Sequence, residues 1–268
     1  MVPPEPASGQ DGRAIPDNVG RVALAVVIPV HNEVANIAAL INEVVRALHG
    51  KIDFEIIVTD DASDDGTVEA LTEISANAPE LRVLRHVRQS GQSAGLLTGA
   101  RASRATWIAT IDGDGQNDPA DILKLVARRD REGSSRPLLV AGRRAIRQDT
   151  LRKRVQSRIA NAVRSRLLGD QTPDTGCGLK LFPRAAFLTL PHFDHFHRFL
   201  PALFIWAGGH VVSEDVSHRP RVGGRSHYGM WSRLGVGIVD LFGVMWLQRR
   251  HVVVEAEEQP ADKELGAR

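Results

Sequence analysis

Two carboxylates and one amide oxygen stand directly after an apolar segment that spans residues 106–111. If that segment is a strand, Asp112, Asp114 and Gln116 present their oxygens at one strand end. Hard oxygen ligands of this kind suit Mg²⁺ or Mn²⁺, which commonly bridge a protein carboxylate and a diphosphate. The adjoining Asp118–Pro119 pair has the residue types of a helix N-terminus. A metal site and a simple capping turn are therefore both open from this segment alone.

Two further polar clusters also follow apolar segments. Residues 22–30 run into the His-Asn-Glu sequence at 31–33, and residues 54–59 run into a cluster at 60–67 that is rich in aspartate. Ligands bind at the carboxyl ends of the strands in parallel α/β sheets. Three acidic strand ends that meet in one crevice would repel one another without a cation, so a divalent metal is the simplest resolution.

The 60–67 cluster also has the residue types of a helix start. Ser63 or Asp64 could serve as the cap, and Gly66 could relieve the turn. Both interpretations can hold together, because a ligand site and a capped helix can share one strand end.

The elements that carry these clusters alternate between strands and helices. Apolar runs predict strands at 22–30, 54–59, 81–86, 106–111 and 138–141, and helical spacing predicts helices at 34–48, 66–75, 93–103 and 120–131. This order, with continuous apolar strands, predicts an α/β fold with a mainly parallel, Rossmann-like sheet and helices on both faces.

Composition indicates one globular domain with flanking segments. The chain has 268 residues, of which 43% are hydrophobic and 25% charged, and its single cysteine, Cys177, excludes an intrachain disulfide and fits a reducing compartment. We predict a disordered tail at 1–20, a catalytic domain at 21–227, an amphipathic helix at 228–250 and a disordered acidic tail at 251–268. The N-terminus lacks the pattern of a secretion signal, so we expect a cytoplasmic protein.

The segment 228–250 comes closest to the length of apolar sequence that could span a membrane. It falls short of the about 18 to 20 apolar residues that span a bilayer, because Arg233 and Asp240 interrupt it. Trp231 and Trp246 lie near its two ends, as in a helix that rests in the membrane interface. A core helix packed on the sheet is the alternative.

A basic run lies between residues 143 and 166. It fits either a solvated helix face or a surface that faces phosphates of a nucleic acid, a membrane or a substrate. A non-catalytic nucleic-acid-binding protein is thus a competing class, although the chain lacks a recognisable reading helix and its acidic crevice would repel the backbone. The basic residues are Arg143, Arg144, Arg147, Arg152, Lys153, Arg154, Arg158, Arg164 and Arg166.

The order of the motifs is similar to that of a known family. Segments 27–33, 57–67 and 112–119, followed by 140–144, 157–161, 174–180 and 218–228, resemble glycosyltransferase family 2. Within it they look like polyprenyl-phosphate sugar transferases of the dolichyl-phosphate mannose synthase type. The resemblance implies a GT-A fold, a nucleotide-diphospho-sugar donor, Mg²⁺ or Mn²⁺, and a polyprenyl-phosphate acceptor. Such an enzyme would work peripherally at the inner face of the membrane, directly or held there by a membrane-protein partner.

The resemblance also assigns roles to residues of this chain. Catalytic residues are Asp112, Asp114 and Arg144; metal ligands are Asp112, Asp114 and Gln116; acceptor-phosphate ligands are Arg144 and Arg158. The nucleotide sugar is expected to contact Pro29, His31, Glu33, Thr59, Asp61, Asp112, Gly113, Asp114, Arg221 and His227. The family commonly has tyrosine in place of His31 and lysine in place of His227.

The acceptor decides whether the enzyme needs a base. A lipid phosphate is already an anion, whereas a sugar hydroxyl of a glycan or glycolipid needs a group that takes its proton. Glu214–Asp215 is the candidate base for that alternative, unless it forms a surface turn. The cluster His192, His195 and His197 permits a zinc site or a lining near the acceptor.

Overall fold

The computed structural model describes residues 22–144, 164–170, 172–220 and 230–250. The predictions for both tails, for Arg158, Arg221 and His227, and for the basic residues from Arg147 to Arg154 concern residues outside these ranges.

Seven strands form one sheet. They are β1 (Val22–Val30), β2 (Phe54–Asp60), β3 (Leu81–Arg85), β4 (Ala105–Thr110), β5 (Leu138–Arg144), β6 (Lys180–Pro183) and β7 (His210–Val216). Their order across the sheet is β3-β2-β1-β4-β6-β5-β7. Only β6 runs antiparallel to its neighbours β4 and β5, so the prediction of a mainly parallel sheet is confirmed. Strand β5 is three residues longer than predicted and carries the backbone out to Arg144.

Helices cover both faces of this sheet. They are α1 (Val34–Leu48), α2 (Thr67–Ser75), α3 (Gln92–Ala102), α4 (Ile122–Glu132), α5 (described at 164–168), α6 (Arg184–Thr189), α7 (Leu200–Trp206) and α8 (Met230–Arg249). One core cluster contains Ile41 of α1, Leu71 of α2 and Leu125 of α4. The other contains Leu96 of α3 and Leu203 of α7. The predicted two-sided arrangement is therefore confirmed.

Strand β1 lies in the middle of these layers and shows why the sheet needs an apolar run. Leu24, Val26 and Ile28 belong to one core cluster, whereas Ala25 and Val27 belong to the other. Successive side chains of a strand point to opposite faces, so a strand covered on both sides must be apolar at every position.

The helix starts confirm one prediction about capping and correct another. The side chain of Asp118 accepts a hydrogen bond from the Ala120 N–H, with Pro119 opening the short 3-10 turn before α4. The cap predicted for α2 was wrong, because Asp65 rather than Ser63 or Asp64 accepts the Thr67 N–H, at 3.0 Å. The left-handed turn before it is made by a glycine, as predicted. Because Asp65 takes the capping role, the side chains of Ser63 and Asp64 instead contact the loop after β1.

Two glycines bring α3 directly onto β1. A Cβ at Gly99 would overlap the Val27 side chain, and one at Gly95 would lie 2.9 Å from the Cβ of Pro29. Real Cβ atoms do not approach this closely, so larger residues would push the helix away from the sheet. This close packing fixes the first turn of α3, including Gln92, beside the carboxyl end of β4.

Helix α8 has one packed face and one exposed face. Leu241, Val244 and Met245 pack against the core cluster that contains α3 and α7. The other side exposes an apolar stripe, defined here as Ile238, Val239, Phe242 and Trp246, which are between 49% and 71% exposed. One face of this segment is thus packed on the core, and the interfacial interpretation of the other face stays a prediction. No helix in the described part of the chain is long and apolar enough to cross a membrane.

Candidate active site

The sheet brings three of the predicted polar segments to one edge. Strands β1, β2 and β4 are mutually parallel, with Val30 opposite Asp60 and Val27 opposite Thr110. Their carboxyl ends therefore meet, and the segments that begin at His31, Asp61 and Asp112 leave the sheet side by side. This is the edge where ligands bind in open α/β sheets.

Asp112 lies where three segments converge. The side-chain amide of Gln92 donates a hydrogen bond to Asp112 Oδ1 at 2.9 Å. On another side, a Cβ at Gly178 would overlap the Asp112 carboxylate, so the loop before β6 can pass only because that residue is glycine. Thr110 Oγ1 donates to the Gly178 oxygen at 2.6 Å and ties the loop to β4. The position of the Asp112 carboxylate is thus set from both sides.

The electrostatics of Asp112 fit a cation site. Burial and the neighbouring Asp114 raise the pKa of Asp112 to about 6, although Lys180 and Arg144 act in the opposite direction. A divalent cation bound between the two side chains would favour the charged form of Asp112 against these effects. Oxygen donors from Asp112, Asp114 and the Gln116 amide therefore match the donor set that Mg²⁺ or Mn²⁺ takes.

The turn that carries Asp114 and Gln116 is braced from outside. Within the turn, the Gln116 N–H donates to Asp114 Oδ1 at 3.1 Å, and its carbonyl accepts from the Arg219 N–H at 2.8 Å. The Arg219 guanidinium spans from Asp118, at 2.8 Å, to Glu43 on α1, at 2.6 Å. The segment that leads to Arg221 and His227 in the sequence is thereby anchored beside the acidic turn.

The loop after β1 is bound to the loop after β2. His31 Nδ1 donates to the Asp61 backbone oxygen at 2.9 Å, and Ser63 Oγ accepts the Asn32 N–H at 2.9 Å. Asn32 has a left-handed backbone, with φ of 57°, and its side chain exchanges two hydrogen bonds with Asp64. The half-buried imidazole of His31 thus stands on a wall built by both strand ends.

Not all residues expected to contact the nucleotide reach the surface of this wall. Thr59 is completely buried and Pro29 is buried, so both support the wall from behind. Gly113 packs against the end of β1, because a Cβ there would lie 2.7 Å from the Val30 side chain and 3.4 Å from the Pro29 oxygen. Glu33 is partly exposed and accepts a hydrogen bond from Asn36 at 2.7 Å.

Asp61 anchors a loop that the sequence did not single out. Its carboxylate accepts from His86 Nδ1 at 2.7 Å and from the N–H groups of Ser90 and Gly91 at 2.8 Å each. Burial opposes its ionisation, but these hydrogen bonds prevail and lower the pKa of Asp61. His86 Nε2 lies 2.9 Å from Thr98 Oγ1 and links the assembly to α3. His86 was not predicted from the sequence, because a single histidine after a strand does not indicate a functional role.

Arg144 is engaged by an acid. Its Nε and Nη2 donate to the two carboxylate oxygens of Asp174 at 2.7 and 2.8 Å, and this hydrogen bonding raises the pKa of the guanidinium. Two other arginines of the basic run are also paired, Arg143 with Asp215 and Arg164 with Asp170. The predicted acceptor ligand Arg144 is therefore neutralised by its neighbour.

The candidate base Glu214–Asp215 forms part of strand β7, so the alternative prediction of a surface turn was wrong. Arg143 binds both carboxylate oxygens of Asp215, at 2.5 and 2.9 Å, and thereby lowers the pKa of that carboxyl. Glu214 lies 3.5 Å from Arg131. Both acids thus have an arginine partner, and that of Asp215 binds it bidentately.

A cavity of about 370 Å³ opens beside Asp112. Its polar wall includes Gln92, Asp112, Lys180, His197 and Arg198. Lys180 is buried and donates to the backbone oxygens of Thr175 and Cys177, and burial lowers its pKa. The Arg198 guanidinium has neither an ion pair nor a hydrogen bond to any part of the chain that the structure describes.

The histidine cluster does not form a metal site. His197 Nδ1 and Ser93 Oγ are hydrogen-bonded at 2.8 Å, whereas His195 lies 3.3 Å from Asp240 on α8 and His192 packs on aromatic rings. No group of three or more His, Cys, Asp or Glu side chains able to hold a metal occurs among the described residues, so the zinc interpretation was wrong. Burial and the nearby Lys180 lower the pKa of His197 to about 3, which leaves it neutral.

Comparison with known proteins supplies the family. The sequence profile described as Glycosyl transferase family 2 matches residues 25–190. Dodecaprenyl-phosphate galacturonate synthase of Rhizobium johnstonii is 33% identical over 88% of this chain and 70% of its own length. Undecaprenyl-phosphate 4-deoxy-4-formamido-L-arabinose transferase of Pectobacterium carotovorum is 32% identical over 76% of this chain, which spans 62% of that relative's length.

Solved structures of lower identity share the fold. Glucosyl-3-phosphoglycerate synthase from Mycobacterium tuberculosis, in complex with Mg²⁺ and UDP, has a TM-score of 0.62 at 20% identity, over 85% of this chain and 79% of that one. A mannosyltransferase from Pyrobaculum calidifontis, with GDP-Man and Mn²⁺, has a TM-score of 0.61 at 17% identity, over 89% and 68%. The fold is thus the GT-A fold of glycosyltransferases. The profile covers more than half of the chain and the Rhizobium relative most of it, so the chain belongs to glycosyl transferase family 2.

Proposed function

We propose that the protein transfers a sugar from a nucleotide-diphospho-sugar to a polyprenyl phosphate, with inversion at the anomeric carbon. The observation that carries the proposal is the cavity beside Asp112, whose wall holds Lys180 and Arg198. Among the residues that the structure describes, Arg198 has no ion-pair partner. The carboxylates of Asp174 and Asp215 are already bound by arginines. A cavity with cationic donors suits an acceptor that is itself an anion.

The donor would lie along the edge where β1, β2 and β4 end. The nucleobase of the donor would stack near His31 and the loop that begins at Asp61. The ribose and diphosphate would lie along Asp112, Gly113 and Asp114. Arg221 and His227 follow the braced 217–220 segment in the sequence and would contact the diphosphate. Asp112, Asp114 and Gln116 would hold Mg²⁺ or Mn²⁺, which supplies positive charge to the leaving diphosphate.

The chain's own groups suffice for the rest of the reaction. An oxygen of the acceptor phosphate forms a bond to the anomeric carbon while the bond to the diphosphate oxygen breaks, and a nucleoside diphosphate leaves. A single displacement of this kind inverts the anomeric centre. No proton moves, because a phosphate monoester is already ionised at neutral pH, and the protein's task is to hold the two anions close together.

Two further observations support a lipid acceptor. The relatives from Rhizobium and Pectobacterium are named for transfer to dodecaprenyl and undecaprenyl phosphate. In addition, α8 exposes an apolar stripe of the kind that rests in a membrane interface. We therefore place the enzyme at the inner face of the membrane as a peripheral protein, bound directly or through a membrane-protein partner.

The test uses a panel of labelled nucleotide sugars incubated with the purified protein and membranes, followed by solvent extraction. Label in an acid-labile lipid fraction supports the proposal and identifies the sugar. Label confined to an acid-stable glycoside would contradict it and favour a sugar-hydroxyl acceptor. Retention of duplex DNA with steep salt dependence, and no transfer at all, would favour the non-enzymatic alternative.

A further inference from the structure

The basic residues near the cavity differ in whether an acid of the chain is already bound to them. Arg144, which the family resemblance assigns to the acceptor phosphate, is bound in this way. Arg144 already has both Nε and Nη2 on Asp174, and the pair is largely buried, with side-chain exposures of 20% and 5%. A phosphate could bind it only by competing with that carboxylate or by sharing its remaining N–H groups. Breaking a buried pair is costly because it leaves an uncompensated charge.

Arg198 is in the opposite situation. It is half-buried, lines the cavity beside Asp112, and has no acid or carbonyl as a side-chain partner among the residues that the structure describes. Arginine carries a permanent charge and five N–H donors in a planar fork that matches phosphate geometry. A half-buried guanidinium without a partner is unfavourable unless a ligand supplies the counter-charge.

The neighbours of Arg198 complete a site for an anion with an apolar substituent. Lys180 lies on the same cavity wall, and a bound anion would favour its ammonium form against the burial that lowers its pKa. His197 is neutral and does not compete for the anion. Leu96 forms an apolar part of the wall, suited to the first carbons of a prenyl chain.

The segment that bears Arg198 is also connected to α8. Residues 196–198 form a 3-10 turn, and His195 immediately before it lies 3.3 Å from Asp240 of α8. Ile238 and Phe242 of the exposed apolar stripe lie two residues before and after Asp240, and therefore on the opposite side of α8. A membrane contact through that stripe would leave the thickness of α8 between the lipid and the turn that carries Arg198.

We propose that Arg198, assisted by Lys180, is the residue that binds the acceptor's phosphate, and that Arg144 instead holds Asp174 and the loop before β6. The inference rests on the proposed polyprenyl-phosphate acceptor and assigns its phosphate to a site that the sequence motifs did not indicate. Shape and charge select a phosphate monoester with an apolar tail.

The experiment measures binding to the full chain by calorimetry, with farnesyl phosphate as a short, soluble prenyl phosphate and farnesol as its uncharged match. Variants are Arg198→Gln, Arg198→Lys, and Arg104→Gln, which removes one exposed positive charge from the amino end of β4. We expect Arg198→Gln to weaken farnesyl phosphate by at least about tenfold and to leave binding of UDP or GDP with Mg²⁺ within about twofold. Arg198→Lys should retain part of the affinity, and Arg104→Gln should match the unchanged chain.

Four results would overturn the inference. Undiminished farnesyl phosphate binding by a folded Arg198→Gln variant would overturn it while the proposed function stands. An equal loss of nucleotide affinity would assign Arg198 to the donor. A selective loss for UDP-glucuronate over UDP-glucose, with farnesyl phosphate unaffected, would assign it to a sugar carboxylate. Absence of farnesyl phosphate binding to the unchanged chain would refute the proposed acceptor as well. Circular dichroism of each variant establishes that it is folded.

Discussion

Arg144 and Asp174 form a bidentate ion pair in which Nε meets Oδ2 at 2.7 Å and Nη2 meets Oδ1 at 2.8 Å. The adjacent Arg143 forms a pair of the same geometry with Asp215, but there both side chains are about half exposed. Consecutive arginines on β5 therefore make one buried and one exposed version of the same interaction. This allows a structural role for Arg144 to be measured against an internal control.

Arg144→Gln should destabilise the fold far more than Arg143→Gln. Loss of the Arg144 guanidinium breaks a buried ion pair and removes its charge from the Asp174 carboxylate, a change that costs about 3 to 5 kcal/mol. Loss of the exposed pair costs at most about 1 kcal/mol, because solvent screens it. Urea unfolding of both variants measures the difference. Equal free energies of unfolding would show that the buried pair has no special structural role.

Asp114→Asn should weaken the binding of Mn²⁺, measured by the free-ion signal in electron paramagnetic resonance. The reason is that the acidic turn then offers one carboxylate, Asp112, in place of two. The same substitution removes a neighbour that raises the pKa of Asp112, so metal binding should also become less dependent on pH near pH 6. Asp130→Asn, on the exposed end of α4, is the control and should bind Mn²⁺ normally. Unchanged affinity in Asp114→Asn would exclude the turn as the metal site.

His86→Phe should loosen the loop between β3 and α3. The substitution removes the hydrogen bonds to Asp61 and Thr98, and a hydrogen bond to a charged group contributes about 1.5 to 3 kcal/mol. Thermal unfolding should occur at lower temperature, and UDP or GDP should bind more weakly because Asp61 also holds His31. The exposed His49, changed to Phe, provides the matched control. A thermally unaltered His86→Phe protein would contradict this role.

The low pKa of Asp61 predicts how the wall responds to acid. A carboxyl with a folded pKa below its unfolded value near 3.8 stabilises the fold above that pH, and this contribution disappears as the pH falls through the folded pKa. Asp61→Asn lacks the contribution at every pH. The stability difference between the two proteins should therefore be constant from pH 5 to 7 and shrink below about pH 4. A difference that grows on acidification would contradict the assignment.

The apolar stripe on α8 should anchor the protein to lipid. Burial of a large apolar side chain contributes about 1.5 to 3 kcal/mol, so Phe242→Ser with Trp246→Ser should weaken binding to anionic vesicles at least about tenfold. Co-sedimentation with vesicles measures this. Val87→Ser, at a fully exposed apolar residue in the β3–α3 loop, should have no effect. If the double variant co-sediments with vesicles to the same extent as the unchanged chain, the stripe is not the membrane anchor.

The sequence predicted those parts of the fold that a local pattern specifies. Strand β1 and helix α1 have unbroken periodicity, and their bounds match closely. Strand β6 has only four residues, and β7 mixes charged with apolar positions, so the sequence pattern predicted neither of them. Both are recognised only by their pairing in the sheet, β6 with β4 and β5, and β7 with β5. The acidic strand ends were found because each directly follows a recognisable strand.

What the sequence could not reveal were partners distant along the chain. Three features depend on segments that meet only in the folded protein. They are the pairing of Arg144 with Asp174, the hydrogen bond of His86 to Asp61, and the position of Arg198 in the cavity without an acid partner among the described residues. A sequence motif indicates that a cationic residue binds phosphate, but it does not show whether an acid is paired with that residue in the folded protein. That is why we propose Arg198 in the cavity, and not Arg144 of the motif, as the residue that binds the acceptor phosphate.

We propose that an anionic prenyl phosphate, and not a hydroxyl, accepts the sugar. The most direct measurement compares transfer of labelled sugar by the purified protein to undecaprenyl phosphate and to undecaprenol, with the donor that the panel identifies and with Mg²⁺. The account predicts label on the phosphate acceptor alone, released by mild acid and absent with Asp114→Asn. Transfer to undecaprenol at a comparable rate, or a product that resists mild acid, would contradict it.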